Sequence, residues 1–277
     1  MLKANRGRIP ERAQSGLAPA LAEQGYFLAC VCEPVEDMEV ALPGGALARR
    51  RATVSALERL NADVLGITLR PDKAFPYRAG QFINLYKDDM TVRSYSLASV
   101  PQLDEGLHLQ VRRVPGGVVS NWLFEEVRAG DVLEISEATG DCFYTAGKPQ
   151  QNLLLIGTGT GLAPLYGIIR DALRQGHAGR IELYHGAYSA DALYKVEELR
   201  QLAQSQRGFS YVPCVSGPDA PAGFRSGMVL DVAMAEHPSL AGWRVFLCGH
   251  PEMVGSARMK TFLAGASMSE IHADPFN

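Results

Sequence analysis

Short apolar segments follow one another at close spacing between residues 50 and 140, and turn sequences separate them. Such spacing is typical of an antiparallel barrel or sandwich built from short strands. The predicted strands are ATVSALERL (52–60), VLGITLRP (64–71), QFINLY (81–86), RSYSLAS (93–99), LHLQVRRV (107–114) and DVLEISEA (131–138). One segment among them has helical spacing, SNWLFEEV at 120–127.

The pattern changes near residue 150, where apolar runs begin to alternate with amphipathic segments. The predicted strands are NLLLIG (152–157), RIELYHGAY (180–188), FSYVPCVS (209–216) and RVFLCG (244–249). The predicted helices are TGTGLAPLYGIIRDALRQG (158–176), DALYKVEELRQLAQ (191–204), MVLDVAMAEH (228–237) and PEMVGSARMKTFLAGA (251–266). This alternation predicts a parallel sheet with helical crossovers. We therefore expect an antiparallel β-barrel followed by a doubly wound α/β domain.

Composition sets the domain boundaries and excludes several classes of protein. The first residues show no clear periodicity and lead into a linker-like sequence, ALPGGALARRR at 41–51. We place an N-terminal segment at 1–45, the barrel at 46–148 and the α/β domain at 149–277.

A net charge of −3 gives no general attraction to nucleic acid or anionic lipid, and no apolar run is long enough to span a membrane. The five cysteines lack a C-x-x-C pair, which favours a reducing cytoplasm.

A glycine-rich turn follows the first strand of the α/β domain. In LLLIGTGTGLAPL, Gly157, Gly159 and Gly161 lie between a buried strand and the start of a helix. A helix N-terminus has free N–H groups and a partial positive charge, so a phosphate can bind there. The spacing is G-x-G-x-G rather than the G-x-G-x-x-G of the dinucleotide fingerprint. The alternative is a tight turn whose glycines serve packing alone.

The segment RSYSLAS carries polar groups that a half-buried strand does not need. Arg93 supplies donors suited to phosphate, Tyr95 a flat face for stacking, and Ser94 and Ser96 small hydroxyl groups. Together they suit a cofactor with a phosphate and a flat heterocycle, such as a flavin nucleotide. A second anion site is expected at PGGVVSNWL (115–123), with Ser120 as the N-cap of the following helix. The alternative there is an ordinary capped helix.

Four motifs, RSYSLAS, PGGVVSNWL, GTGTGLAP and CGHPEMV, occur in the order typical of the ferredoxin–NADP reductase-like family. The chain resembles that family over residues 46 to 277. The family includes reductase components of aromatic-ring oxygenases, flavohaemoglobins and phenol hydroxylase reductases. The resemblance implies an FAD-dependent NAD(P)H reductase that takes a hydride onto FAD and passes single electrons to a protein acceptor, an iron–sulfur protein or an oxygenase.

The resemblance also implies roles for individual residues. Ser96, Cys248 and Asp274 would be catalytic, and Phe276 would cover the flavin face; Asp274 is shorter than the Glu common in the family. The implied FAD-binding residues are Arg93, Ser94, Tyr95, Ser96, Val111, Arg113, Gly116, Gly117, Val119 and Ser120. The implied residues for the nicotinamide cofactor are Gly157, Thr158, Gly159, Thr160, Gly161, Cys248, Gly249 and Pro251.

The segment after the second strand of the α/β domain bears on the choice between NADH and NADPH. A 2′-phosphate needs cationic partners there. The segment HGAYSADALY contains Tyr188 and Asp191, and no Lys or Arg occurs before Lys195. We therefore expect NADH to be preferred, with the alternative that Arg225 supplies a cation from elsewhere.

The N-terminal segment GYFLACVCEPVEDMEVALP resembles the closing segment of a plant-type 2Fe–2S ferredoxin. Cys30 would be the fourth cluster ligand, and the usual interval puts the preceding ligand immediately before Met1. One or two cysteines cannot hold the cluster, so we expect no metal in this chain and 2Fe–2S only in a product with the upstream cysteines. The alternative is a diverged extension that caps the barrel.

Two other functions stay open on the sequence alone. One is a flavin-binding electron-transfer subunit that does not oxidise NAD(P)H itself. The other is a free-flavin or ferric reductase, for which flavin is a loosely held substrate.

Overall fold

The computed structural model describes residues 2–15, 17, 19–41 and 49–276, and the chain divides into two compact units, 1–48 and 49–277. The predicted junction between residues 45 and 46 lies outside the described residues. No helix in the described part of the chain combines the length and the apolar content needed to cross a bilayer.

The first unit contains a small antiparallel sheet that the sequence pattern did not predict. Its strands, in the order β2-β1-β3, are β1 (Leu2–Arg6), β2 (Tyr26–Phe27) and β3 (Glu39–Ala41), with the short helices α1 (Glu11–Gln14) and α2 (Pro19–Glu23). The Gln14 side chain donates to the carbonyls of Ala22 (2.8 Å) and Tyr26 (3.0 Å). The Gln14 amide therefore connects α1 to α2 and to β2 through hydrogen bonds.

The antiparallel half of the second unit forms a six-stranded sheet with the order β7-β6-β9-β4-β5-β8. Its elements are β4 (Arg50–Arg59), β5 (Val64–Pro71), β6 (Phe82–Tyr86), β7 (Val92–Ser96), β8 (Leu107–Arg112), α3 (Val118–Glu125) and β9 (Val132–Ile135). A bridge between Leu97, directly after β7, and Leu109 in β8 links the two edge strands, and both side chains are buried. The predicted flavin-domain fold, with its alternating buried positions, is confirmed.

The other half is a six-stranded parallel sheet with the order β13-β12-β11-β10-β14-β15. Its strands are β10 (Leu153–Thr158), β11 (Ile181–Ala187), β12 (Phe209–Val215), β13 (Arg225–Ser226), β14 (Arg244–Gly249) and β15 (Ile271–Pro275). Its helices are α4 (Leu162–Arg174), α5 (Val196–Ser205), α6 (Val229–Glu236) and α7 (Pro251–Leu263). The strand order reverses at β10, between β11 and β14. In such sheets a ligand crevice forms at the carboxyl ends of the strands beside this reversal.

Several elements differ from the sequence prediction, and α5 and β15 are the two that bear on the site. The helix predicted from residue 191 begins at Val196, because Lys195 takes a left-handed backbone (φ 56°) and the preceding Tyr194 is buried in the core. The C-terminal strand β15 was not predicted, because it is short and ends in Pro275, which only an edge strand tolerates. It pairs with β14 and extends the sheet by one strand.

A bidentate ion pair connects the two halves of this unit. Arg170 on α4 donates to both carboxylate oxygens of Asp104 (2.7 and 2.9 Å), and the N–H of Val100 donates to the same carboxylate (2.7 Å). Burial raises the pKa of Asp104, but the bonds from Arg170 and Val100 outweigh it, so the pKa lies below its ordinary value. The pair therefore fixes the parallel sheet against the antiparallel domain.

Candidate functional site

The glycine turn lies between β10 and α4 and is open on one side and packed on the other. Gly159 to Gly161 form a 3₁₀ turn; Gly159 has a φ of 53°, and no atom lies within 4 Å of the place a Cβ would take there. By contrast, a Cβ on Gly161 would lie 2.2 Å from the carbonyl oxygen of Cys248. Gly157 is a packing glycine, since its Cβ would lie 2.7 Å from Leu165. The space left at Gly159 suits a phosphate at the N-terminus of α4.

The loop after β14 contacts this turn directly. The N–H of His250 donates to Thr158 Oγ1 (2.9 Å), and the N–H of Phe276 donates to the carbonyl of Gly249 (2.8 Å). Gly249 has a φ of 118°, and a Cβ there would lie 2.5 Å from Thr158 Oγ1. Pro251 opens α7 immediately afterwards. The glycine turn, the CGHP segment and the C-terminus therefore meet at one edge of the sheet.

The three predicted catalytic residues also lie together. Ser96 Oγ at the end of β7 donates to Asp274 Oδ2 on β15 (2.8 Å), and Asp274 pairs in register with Cys248 on β14. Asp274 is thus long enough to reach the serine, although it is one methylene shorter than Glu. Ser96 and Cys248 are buried, and Asp274 is partly buried. Residues from three strands and both domains therefore converge on one polar group.

Burial shapes the acid–base properties of this group. Burial raises the pKa of Asp274 to about 6, the hydrogen bond from Ser96 opposes the rise, and the nearby Asp141 charge adds to it. Burial also raises the pKa of the Cys248 thiol well above its ordinary value. At neutral pH the thiol is therefore uncharged, while the carboxyl group of Asp274 exchanges its proton close to physiological pH.

A second buried thiol at this site was missed by the sequence reasoning. Cys142 Sγ lies 3.7 Å from Cys248 Sγ, and both side chains are fully enclosed. The two cysteines are 106 positions apart in the chain, so no local pattern brings them together. The buried His185 on β11, behind the glycine turn, was missed for the same reason.

On β7 the predicted flavin-contacting side chains divide between two faces. Arg93 is exposed, and its guanidinium donates to the carbonyl of Val92 (2.7 Å). Tyr95 shares that face and packs partly on the domain core, and burial raises its pKa to about 12. Ser94 Oγ donates to Asn84 Oδ1 (2.8 Å) on the opposite face. The strand thus presents an exposed cation and a ring on the same side.

The predicted N-cap role of Ser120 is wrong. The helix α3 begins at Val118 with Gly117 as its N-cap residue, so Ser120 lies inside the first turn. Its Oγ instead accepts the N–H of Val114 (3.1 Å), and Asn121 Nδ2 donates to the carbonyl of Gly117 (2.8 Å). These bonds hold the PGG turn in place, while the Cβ position of Gly116 (φ 70°) is open.

An open cavity of about 540 Å³ adjoins this turn. The residues that line it are Asp63, Arg113, Pro115, Gly116, Asn121 and Glu125. Arg113 donates to Asn121 Oδ1 (2.8 Å) and forms an ion pair with Glu125. Val111 and Val119 are buried in the domain core, so only the Val111 backbone is left to contact an adenosine.

The N-terminal cysteines lie in the first unit. Cys30 is exposed in a 3₁₀ turn (Ala29–Val31), and Cys32 is partly buried. Across the described ranges, no three His, Cys, Asp or Glu side chains are grouped to hold a metal ion. The role of Cys30 as a cluster ligand in a longer protein stays a prediction.

Comparison with known proteins gives two family matches. Residues 51–144 match the oxidoreductase FAD-binding domain, and residues 155–259 match the oxidoreductase NAD-binding domain. These ranges contain β7, the PGG turn and the glycine turn.

Individual relatives match almost the whole chain. The ferredoxin–NAD(P)+ reductase component of the naphthalene 1,2-dioxygenase/salicylate 5-hydroxylase systems of a Ralstonia species is 34% identical, over 98% of this chain and 84% of that protein. The reductase subunit of an aromatic O-demethylase from an Amycolatopsis species is 36% identical, over 91% of this chain and 78% of that protein. The crystal structure of the Amycolatopsis cytochrome P450 reductase GcoB superposes with a TM-score of 0.78 at 33% identity, over 99% of this chain and 86% of that one.

Proposed function

The chain belongs to the family of oxidoreductases that join an FAD-binding domain to an NAD-binding domain, and from this premise we propose that it oxidises NADH and passes single electrons to an oxygenase or iron–sulfur protein. The observation that carries the proposal is the hydrogen bond between Ser96 and Asp274. It joins the flavin-domain strand to the C-terminal strand beside Cys248. The bond lies at the same sheet edge as the glycine turn.

The residues present fit the pyrophosphate of FAD at one turn and that of the nicotinamide cofactor at another. Gly116 and Gly159 both have positive φ values, and the space a side chain would fill at each is empty. Each glycine precedes a helix, α3 or α4, whose first N–H groups lack intrahelical partners. We assign the first turn to the FAD pyrophosphate and the second to that of the nicotinamide cofactor. Arg93 on the exposed face of β7 adds a cation for a flavin phosphate.

When bound, FAD accepts a hydride and releases the electrons one at a time. Beside the proposed flavin site, the Ser96 hydroxyl donates a hydrogen bond to Asp274. Its oxygen lone pairs stay free to accept a hydrogen bond from an incoming donor. Asp274 takes up or releases a proton near pH 6, which Ser96 can relay to a neighbouring atom. The uncharged Cys248 thiol adds no negative charge beside a hydride donor. Enclosure of Ser96 and Cys248 excludes water from this side of the site.

The proposed preference for NADH over NADPH rests on the ion pairing of the cations near the carboxyl ends of β11 and β12. Arg225 forms an ion pair with Glu236, and Lys195 with Glu198. Tyr188, exposed directly after β11, offers a ring rather than a cation. The two cations are therefore already neutralised, and a 2′-phosphate would gain little from them.

Relatives named as reductase components of oxygenase systems support a protein electron acceptor. The decisive experiment is the absorption spectrum of the purified chain under anaerobic conditions. We expect a bound-flavin spectrum that NADH bleaches and that oxidised ferredoxin or ferricyanide restores. A colourless protein that reduces only added flavin would overturn the proposal in favour of a free-flavin reductase. Bound flavin that stays oxidised with both NADH and NADPH would favour a non-catalytic subunit.

The coenzyme preference has a separate test. Tyr188→Arg places a cation where a 2′-phosphate would lie, and Met259→Arg adds the same charge at an exposed position on α7. We expect the tyrosine variant to raise kcat/KM for NADPH about tenfold relative to NADH, and the methionine variant to leave the ratio unchanged. A wild-type chain that already prefers NADPH would refute this part of the proposal.

A further inference from the structure

A buried histidine lies directly behind the glycine turn. His185 on β11 pairs in register with Gly157 and is fully enclosed. Its Nε2 lies 2.9 Å from the carbonyl oxygen of Gly159. Since a carbonyl only accepts hydrogen bonds, Nε2 carries the proton and Nδ1 carries the lone pair. Nδ1 is buried with no hydrogen-bond partner among the described residues.

The protonation state of this ring is fixed. Burial lowers the pKa of His185 to about 4, and the bond to Gly159 only partly opposes this. The imidazole is therefore neutral at physiological pH and offers one donor. An enclosed nitrogen without a partner is unfavourable, so an apolar side chain would fill this place at a lower cost in stability. The hydrogen bond to Gly159 is the only feature of the described surroundings that requires a donor here.

The bond adds to a restraint that the turn already supplies. The N–H of Leu162 donates to the carbonyl of Gly159 within the 3₁₀ turn, and His185 is a second donor to the same oxygen. Because Gly159 has a positive φ and no neighbour at its Cβ position, no side-chain packing adds to these two bonds in setting the direction of its peptide group. The carbonyl of Gly159 and the N–H of Thr160 belong to one planar trans peptide and point in opposite directions. A carbonyl held towards His185 therefore turns the N–H of Thr160 to the open side of the turn, where an anion would bind.

The histidine ring is itself held from the antiparallel domain. Tyr194 packs edge-on against it, with ring centroids 5.8 Å apart and an interplanar angle of 87°. The Tyr194 hydroxyl donates to Gln110 Oε1 on β8 (2.6 Å), and both residues are buried. A chain of contacts thus runs from β8 of the flavin domain to the glycine turn.

We propose that His185 is a positioning residue for the pyrophosphate of the nicotinamide cofactor, because it holds the Gly159 peptide with its N–H side towards the ligand. The inference rests on the proposed function, in which this turn binds NADH. The proposal gives His185 a role in binding the cofactor. Substitutions at His185 should therefore leave the hydride-transfer residues Ser96 and Asp274 unchanged.

Three substitutions separate this role from packing. His185→Gln places an amide N–H where Nε2 lies, His185→Asn is too short to reach Gly159, and His185→Leu has no donor. We expect the Asn and Leu variants to raise KM for NADH about three- to tenfold, the effect of one lost hydrogen bond, with kcat within about twofold of wild type. The Gln variant should stay within about twofold of wild type in both parameters.

The probe is ADP-ribose, which keeps the pyrophosphate and both riboses of the cofactor but lacks the nicotinamide ring. Its dissociation constant, measured by calorimetry on the FAD-loaded protein, should rise by the same factor as KM in the Asn and Leu variants. FAD content and melting temperature report any general damage. The inference is overturned if the Leu variant binds ADP-ribose like wild type, or if Gln loses as much affinity as Asn. If wild type binds ADP-ribose but does not oxidise NADH, the proposed function fails while the role of His185 is still tested.

Discussion

Replacing Asp274 by Asn removes a charge and leaves the shape of the side chain nearly unchanged. The amide oxygen of the new side chain would still accept the hydrogen bond of Ser96. The carboxyl group has a folded-state pKa of about 6 against an ordinary value of 3.8, chiefly because burial disfavours the charge. For an acid with a raised pKa, stability is greatest below the ordinary value and is lost as the pH rises through the folded value. The substitution should therefore stabilise the protein above pH 6.

The magnitude follows from the two pKa values. One pKa unit corresponds to about 1.4 kcal/mol, so the ionised carboxylate costs at most about 3 kcal/mol at pH 8. Asp274 is only partly buried, and solvent screening reduces this figure, so we expect a gain of about 1–3 kcal/mol. Such a gain corresponds to a melting temperature higher by about 2–12 °C. Below about pH 4 the gain should disappear, because both states are then protonated.

Thermal or urea unfolding of the flavin-free protein, at several pH values between 4 and 8, measures this effect. Asp104→Asn is a control with the opposite sign, because the pKa of Asp104 is lowered and its ion pair with Arg170 stabilises the protein at neutral pH. A loss of stability in Asp274→Asn at pH 8, or a gain independent of pH, would mean that burial does not raise the pKa of Asp274 in the folded protein.

The same variant tests the proposed proton relay. Asn cannot hold a transferable proton, so we expect the rate of anaerobic NADH oxidation to fall on the order of a hundredfold. The wild-type pH–rate profile should bend near pH 6, and the bend should be absent in the variant. A more stable but slower protein would show that the charge at this position is kept for the reaction.

Three further outcomes are expected. Arg93→Ala should weaken FAD binding at least about tenfold in a fluorescence titration. The control Arg70→Ala also removes an exposed arginine and should leave FAD binding unchanged. Equal losses of affinity in the two variants would contradict the role of Arg93 in binding a flavin phosphate. Gly161→Ala should lower the melting temperature more than Gly159→Ala, because its Cβ would clash with the end of β14, whereas Gly159→Ala should cost only about 1 kcal/mol of backbone strain. Both should weaken NADH binding, Gly159→Ala because its methyl group takes the space proposed for the phosphate, and a larger loss of stability in Gly159→Ala would be contrary to the packing found. Arg170→Met should lower the urea-unfolding free energy by about 2 kcal/mol, and no change would mean that the interdomain pair is fully screened.

Local patterns predicted most of the second unit. The strand bounds of β5 and β14 agree with VLGITLRP and RVFLCG to the residue, because continuous or alternating apolar runs bounded by turns have few other ways to bury their side chains. The start of α5 was missed because Lys195 leaves the helical conformation while its neighbours join the core. The N-terminal sheet was missed because its strands are short and, apart from one buried residue, only partly buried or exposed, so they show no clear alternation.

The candidate site divides in the same way. Residue type and local spacing were enough to predict the glycine turn, the R-x-Y-S strand and the family they indicate. The folded chain was needed to show that Asp274 reaches Ser96, that Cys142 faces Cys248, and that His185 supports Gly159. Each of these contacts joins distant parts of the chain, and it exists because strand order and burial bring side chains together that no local periodicity relates.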